Sequence, residues 1–234
     1  MKYLRMLQFA LAAFVFCPVA AHAQSLVGSM GGVNLNLVVP RGYCIPDPDN
    51  SADAAFVEFL AKLMENSKNH LMRVVVNCRE LQARRSDAKK PIHEYVQFYF
   101  PMASEKVTLT GDPETLRKDS CDALRQQDDA ALSDVPQITE KTAREMKRNG
   151  SVSSTKYLGV LDADAHGCYA GILVGVKDGN GNVTLIYTLA VRTVTHRKDL
   201  WIAVYSKYGT AADSTRWLKF AQTTAAALAA MNPD

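Results

Sequence analysis

TKYLGVLDADAHGCYAGILVGVKDGNGNVTLIYTLAVRTVTHRKDLWIAVYSK, residues 155–207, decides the fold. It holds four runs rich in β-branched and aromatic residues, at about 155–162, 168–177, 183–195 and 200–207. Such runs bounded by Gly, Asn and Asp read as strands. Only DADAHG, DGNGN and HRKD lie between them. A parallel crossover needs a dozen or more residues, so these strands must run antiparallel, as a β-meander.

Working outward, a closing helix is expected from about 213 to 230. Asp213 or Ser214 caps it, and Trp217, Ala221, Thr224 or Ala225, and Leu228 form its packing face. Upstream of the meander, Asp112-Pro113-Glu114 starts a polar helix running to about 132. A shorter one, about 139–148, ends before Asn149-Gly150. In the first half, Val33, Leu35, Leu37 and Val39 alternate as in a strand. Phe56, Phe59, Leu60, Leu63 and Met64 recur at helical spacing behind Asn50 or Ser51. Strands are expected at 72–78 and 92–100, the second with Val96, Phe98 and Phe100 on one side and Tyr95 and Tyr99 on the other. The expectation is an α+β fold: a mostly antiparallel sheet with a C-terminal β-meander, covered by helices. It forms one domain over 33–234, preceded by a flexible, glycine-rich lead-in at 24–32 (QSLVGSMGG).

Residues 1–23 read as a secretory signal peptide. Lys2 and Arg5 give the positive start, 9–17 are uninterrupted apolar residues, and Ala21-His22-Ala23 offers a cleavage site before Gln24. Pro18 and His22 end the apolar run short of the roughly 20 residues a membrane helix needs. No later segment is long and apolar enough to span, so the mature chain is expected in the periplasm or secreted. Without Lys2 and Arg5 the formal charge falls from +3 to +1. So small a net charge argues against nucleic acid as the partner.

Four cysteines remain after Gln24: Cys44, Cys78, Cys121 and Cys168. An even number in an exported chain implies disulfides, with three connectivities open. Cys44 with Cys78 and Cys121 with Cys168 is the preferred pairing, because each bridge would tie a helical stretch to a neighbouring strand. No Cys-x-x-Cys occurs, which leaves a thioredoxin-like or zinc-knuckle site without support.

No catalytic motif, metal-ligand spacing or cofactor loop stands out, and no cofactor is expected. Asp178-Gly-Asn180-Gly-Asn182 begins like a calcium loop, but Val183 stands at its sixth position and Leu189 at its twelfth, so it reads as a turn. Asp162, Asp164 and His166, with His196, offer acid–base groups for an alternative reading as a periplasmic hydrolase. Two basic stretches suggest anion binding. Arg79, Arg84 and Arg85, with Lys89 and Lys90, crowd a linker between strands. Lys141, Arg144 and Arg148 share a helix face with Lys147 nearby. Together they could meet anionic lipid or phosphate. The strand tyrosines, Tyr157, Tyr169, Tyr187, Tyr205 and Tyr208, suit either a core or a ligand cleft.

The order of elements, with LVVPRGY at 37–43, LWIAVYSKY at 200–208 and a final helix through Trp217 closing at Met231-Asn232, resembles exported bacterial proteins of unassigned function. In topology it looks like the PsbP-like α/β/α sandwich. That resemblance implies an accessory or binding role rather than catalysis, and it carries over no site residue. The four cysteines and the polar helical insert at 112–150 depart from it. The expected function is an exported accessory protein of the bacterial cell envelope, engaging an unknown envelope protein or ligand through its sheet face or loops.

Overall fold

The computed structural model describes residues 25–127, 129–146, 151–178 and 180–233. Residues 1–24, on which the expected signal peptide falls, Asp128, Lys147 to Gly150 with Arg148 among them, Gly179 and Asp234 lie outside the described residues. A seven-stranded sheet, antiparallel at every pairing, carries the fold, and a separate two-stranded hairpin sits against it. The hairpin is β1 (Ser25–Met30) and β2 (Val33–Val38). The large sheet consists of β3 (Tyr43–Cys44), β4 (Asn69–Asn77), β5 (Tyr95–Pro101), β6 (Ser151–Asp164), β7 (Gly167–Lys177), β8 (Val183–Thr195) and β9 (Lys198–Lys207). Its strand order is β3-β4-β5-β9-β8-β7-β6, so β5 and β9 join the N-terminal strands to the meander at the centre.

The helices are α1 (Ser51–Asn66), α2 (Cys78–Ser86), α3 (Pro113–Arg125), α4 (Val135–Glu145) and α5 (Ala211–Met231). Strand alternation sends Val96, Phe98 and Phe100, with Leu200, Ile202 and Val204, to one face, where they pack with the hairpin and with Trp217, Ala221, Ala225 and Leu228 of α5. The other face carries α1 and α2 over β3 and β4, and α3 and α4 over β6 to β8. Burying each large apolar side chain contributes about 1.5–3 kcal/mol, so the two layers hold the sheet from both sides. Among the described residues no helix is long and apolar enough to cross a membrane.

Local chemistry fixes the ends. Asn50 Oδ1 accepts from the Ala52 and Asp53 amides at the start of α1. Thr210 and Asp213 form a reciprocal capping box on α5, so Thr210 rather than Asp213 or Ser214 is the cap. Beyond the last turn of α5, Asn232 donates to Asn36 O and to Leu228 O and accepts from Asn36 N, each at 2.8 Å. One buried amide thereby pins α5 to the hairpin.

Four further expectations change. Residues 25–30 are a paired strand rather than a flexible lead-in. Met30, Leu35 and Leu37 are buried, and the turn at Gly31-Gly32 needs positive φ at both glycines; a Cβ on Gly31 would strike the Glu105 carbonyl. The basic linker after Cys78 is in part a helix, α2. Asn77 caps it, but it buries only Leu81 and Arg84, so no apolar stripe announces it. The expected long middle helix breaks at Arg125; a 3-10 turn (Asp129–Leu132) follows, and α4 starts at Val135. The link from β8 to β9 is the two residues His196-Arg197, both at positive φ, while Lys198 and Asp199 belong to β9.

Candidate binding trough on the sheet

Two disulfides form, Cys44–Cys78 and Cys121–Cys168, with Cα separations of 5.0 and 5.3 Å. The first ties β3 to the start of α2. The second ties α3 to β7 on the side of the sheet that α1 also covers. Between these helix pairs the central strands β5 and β9 carry no extensive helical cover from the described residues.

The result is a trough whose floor can be read from the strand register. Tyr95 faces Tyr205, Gln97 faces Ala203 and Tyr99 faces Trp201. On β8, Thr188 lies beside Tyr205 and Ala190 beside Ala203. The Tyr95 and Tyr205 rings stack at 4.4 Å, and the Tyr99 and Trp201 rings stack more loosely at 6.1 Å. Phe56 of α1 meets Tyr95 edge-on at 5.5 Å, and Cys121 and Leu124 of α3 cluster with Trp201. Between the two ring pairs lie small or polar side chains only: Gln97, then Ala203 and Ala190.

All four aromatic side chains stay partly exposed in the middle of the sheet. Their surroundings are nevertheless dry. Burial pushes the Tyr95, Tyr99 and Tyr205 phenols well above the ordinary tyrosine range, with smaller contributions at Tyr95 and Tyr99 from the neighbouring Tyr205.

The floor is also under-bonded. Gln97 is fully buried, yet neither Nε2 nor Oε1 has a hydrogen-bond partner, and the same holds for Thr188 Oγ1 and Trp201 Nε1. A buried polar group without a partner costs about 1–3 kcal/mol. Other unpaired buried atoms, such as Tyr43 Oη and Trp217 Nε1, lie on the α5 side beneath packed core. Beside the trough, Arg192 sits over Trp201 at 5.6 Å, but its charge is taken by Asp199 through two bonds of 2.9 Å.

The basic residues are placed differently from their grouping in sequence. Arg79 is exposed on α2. Arg84 is buried, donates to the Ala52 and Lys90 carbonyls and covers Phe56. Arg85 pairs with the buried Asp53 carboxylate at 2.6 Å. Arg144 pairs with Glu140 at 3.1 Å, and Lys141 lies 3.9 Å from Glu145. Arg84 and Arg85 contact the first turn of α1, whereas α4 bonds Asn66 at its last turn. Thirteen residues at ~1.5 Å rise separate Asp53 from Asn66, about 20 Å. The described members of the two stretches therefore sit at opposite ends of α1.

The acid–base candidates are not assembled either. Asp164 accepts from the His166 and Gly167 amides and from the Tyr169 hydroxyl, which makes it a turn cap. Asp162 accepts from Gln222 at 2.7 Å. Among the described residues the ring–carboxylate contact present is His93 with Glu80, at 3.4 Å. Asp178 is occupied by the Asn180 and Asn182 amides as a turn, and among the described residues no group of three or more His, Cys, Asp or Glu could hold a metal. Of the five strand tyrosines singled out in the sequence, Tyr205 lies in the trough. Tyr169 and Tyr187 are core, and the Tyr157 hydroxyl donates to Leu124 O.

Gln97, Thr188 and Trp201 carry no motif. The signal that could have found them is the Tyr-Val-Gln-Phe-Tyr alternation at 95–99, which puts an amide between two aromatics on one face. The chain matches no family model, no curated protein and no solved structure.

Proposed function

We propose that this chain is an exported, non-catalytic binding protein of the bacterial cell envelope, and that its ligand or partner occupies the β5–β9 trough. One observation carries the reading: a fully buried glutamine with both amide atoms unpaired, flanked by four half-buried aromatics, on a stretch of this face that the described helices leave open. Core glutamines are normally satisfied, so an amide kept unpaired among accessible rings fits a site completed by another molecule. The signal-like composition of residues 1–23 and the two disulfides fit a destination outside the reducing cytosol. The near-neutral net charge and the internally paired arginines support neither nucleic acid nor an anionic surface as the main partner.

Affinity capture from an envelope extract tests this. The mature protein should retain a component that the Tyr99→Ala and Tyr205→Ala variants, verified as folded by circular dichroism, lose. Equal retention by both variants would remove the trough from the account. Turnover of a hydrolase substrate abolished by His166→Ala would replace binding with catalysis.

A further inference from the structure

Given that the trough binds a ligand, a premise taken from the proposed function, its polarity narrows the class of molecule it can hold. Beneath its rings lie the Gln97 amide, the Thr188 hydroxyl and the Trp201 indole N–H, all enclosed and without a partner among the described residues, and beside them three phenols, so a ligand reaches these atoms only once the rings part. Every one of these groups is neutral: a phenol is protonated below about 10 in any case, and burial pushes these three higher still. The adjacent charge, Arg192, is already committed to Asp199. Among the described residues, the members of the trough therefore offer a phosphate, a carboxylate or an anionic headgroup no unpaired cation. An acyl chain would leave the Gln97 donor and acceptor unpaired, and the desolvation cost of both would remain.

A ligand suited to this floor must be uncharged, rich in donors and acceptors, and apolar on at least one surface. We propose that the trough binds a neutral saccharide, with Gln97 reading two adjacent hydroxyl groups. One hydroxyl donates to Oε1 while its neighbour accepts from Nε2, which satisfies both orphaned atoms together. The C–H surface of the sugar ring then lies against the aromatic side chains. Tyr95 and Tyr99 are four residues apart on one strand, about 13 Å at ~3.3 Å per residue, long enough for a disaccharide. Gln97 lies beneath the rings, and the Tyr99–Trp201 pair, at 6.1 Å against 4.4 Å for Tyr95–Tyr205, is the looser one. Admission of the sugar parts that pair, so binding changes the surroundings of Trp201.

The mature, disulfide-intact protein should be titrated by calorimetry and by tryptophan emission with cellobiose, N,N′-diacetylchitobiose and maltotriose. A disaccharide bearing a uronic acid and a neutral extended peptide serve as controls. At least one neutral saccharide should bind saturably and shift the emission, the uronic analogue should bind more weakly, and Gln97→Leu should lower the affinity at least about tenfold, the loss of one buried hydrogen-bonded pair. Absence of binding by all three saccharides at millimolar concentration overturns the inference, as does undiminished affinity in Gln97→Leu. If the peptide binds and the sugars do not, the saccharide falls while the trough stands. If envelope capture is also indifferent to Tyr99→Ala, the binding reading falls with it.

Discussion

Replacing Gln97 by leucine should make this protein more stable, and the expectation comes directly from the central strands. The side chain is fully buried, and both amide atoms lack partners. Each unpaired group carries about 1–3 kcal/mol of desolvation cost in the folded state. Leucine is close in volume and faces Val74 on one strand and Ala203 on the other, both apolar. Taking the low end for both groups, about 2 kcal/mol, less an imperfect shape match that costs under about 1.5 kcal/mol for volume-conserving changes, the net gain should be at least about 0.5 kcal/mol and up to about 2 kcal/mol. For a chain of this size that raises Tm by about 2–4 °C per kcal/mol. Urea unfolding followed by far-UV circular dichroism, on the mature protein with both disulfides intact, measures it as a higher midpoint at unchanged slope. A loss of more than about 1 kcal/mol would refute the reasoning. It would mean that Gln97 is satisfied within the fold and serves the core.

Other consequences are as specific. Asn232→Ala removes the three bonds that join α5 to Asn36 and Leu228. It should cost about 2–3 kcal/mol, with amide exchange accelerating first in β1 and β2. Arg85→Ala strips the buried Asp53 of its ionic partner, leaving an uncompensated charge. The loss should approach about 3 kcal/mol, read from the urea midpoint, and Asp53→Asn in the same background should restore part of it. The Tyr95, Tyr99 and Tyr205 phenols are raised by burial, so the folded state holds their protons more tightly than the unfolded chain does. Their contribution is fully present below the unfolded value near ~10 and is lost as pH rises above it. Stability measured between pH 8 and pH 11.5 should therefore fall above about 10, and Tyr95→Phe/Tyr205→Phe should flatten the decline.

The parts of the fold legible in the sequence were those where one residue pattern had one physical outcome. Short polar links between β-branched runs leave no room for anything but antiparallel neighbours, and the meander from Ser151 to Lys207 follows from that alone. Helical spacing from Phe56 to Met64 likewise fixed α1. The pairing of the four cysteines followed from placing helix beside strand. Misreadings arose where the pattern was weak. α2 buries little but Leu81 and Arg84, so its composition looks like a charged loop. β1 is rich in small residues because Gly28 packs closely on Leu37 and Met72, and small residues read as flexibility. The trough was hardest to see. Its members come from β5, β8 and β9, and only the register that brings Tyr99 to Trp201 and Gln97 to Ala203 turns them into a site. The basic stretches show how little sequence order says of placement: their described members contact opposite ends of α1.

The most direct test of the trough is photo-crosslinking in living cells. A benzophenone amino acid at position 99 lies in the trough, and one at Val27 lies on the hairpin, across the sheet. Adducts to an envelope component from position 99, absent from position 27, are the predicted result. Adducts at equal yield from both positions, or from position 27 alone, would contradict the account.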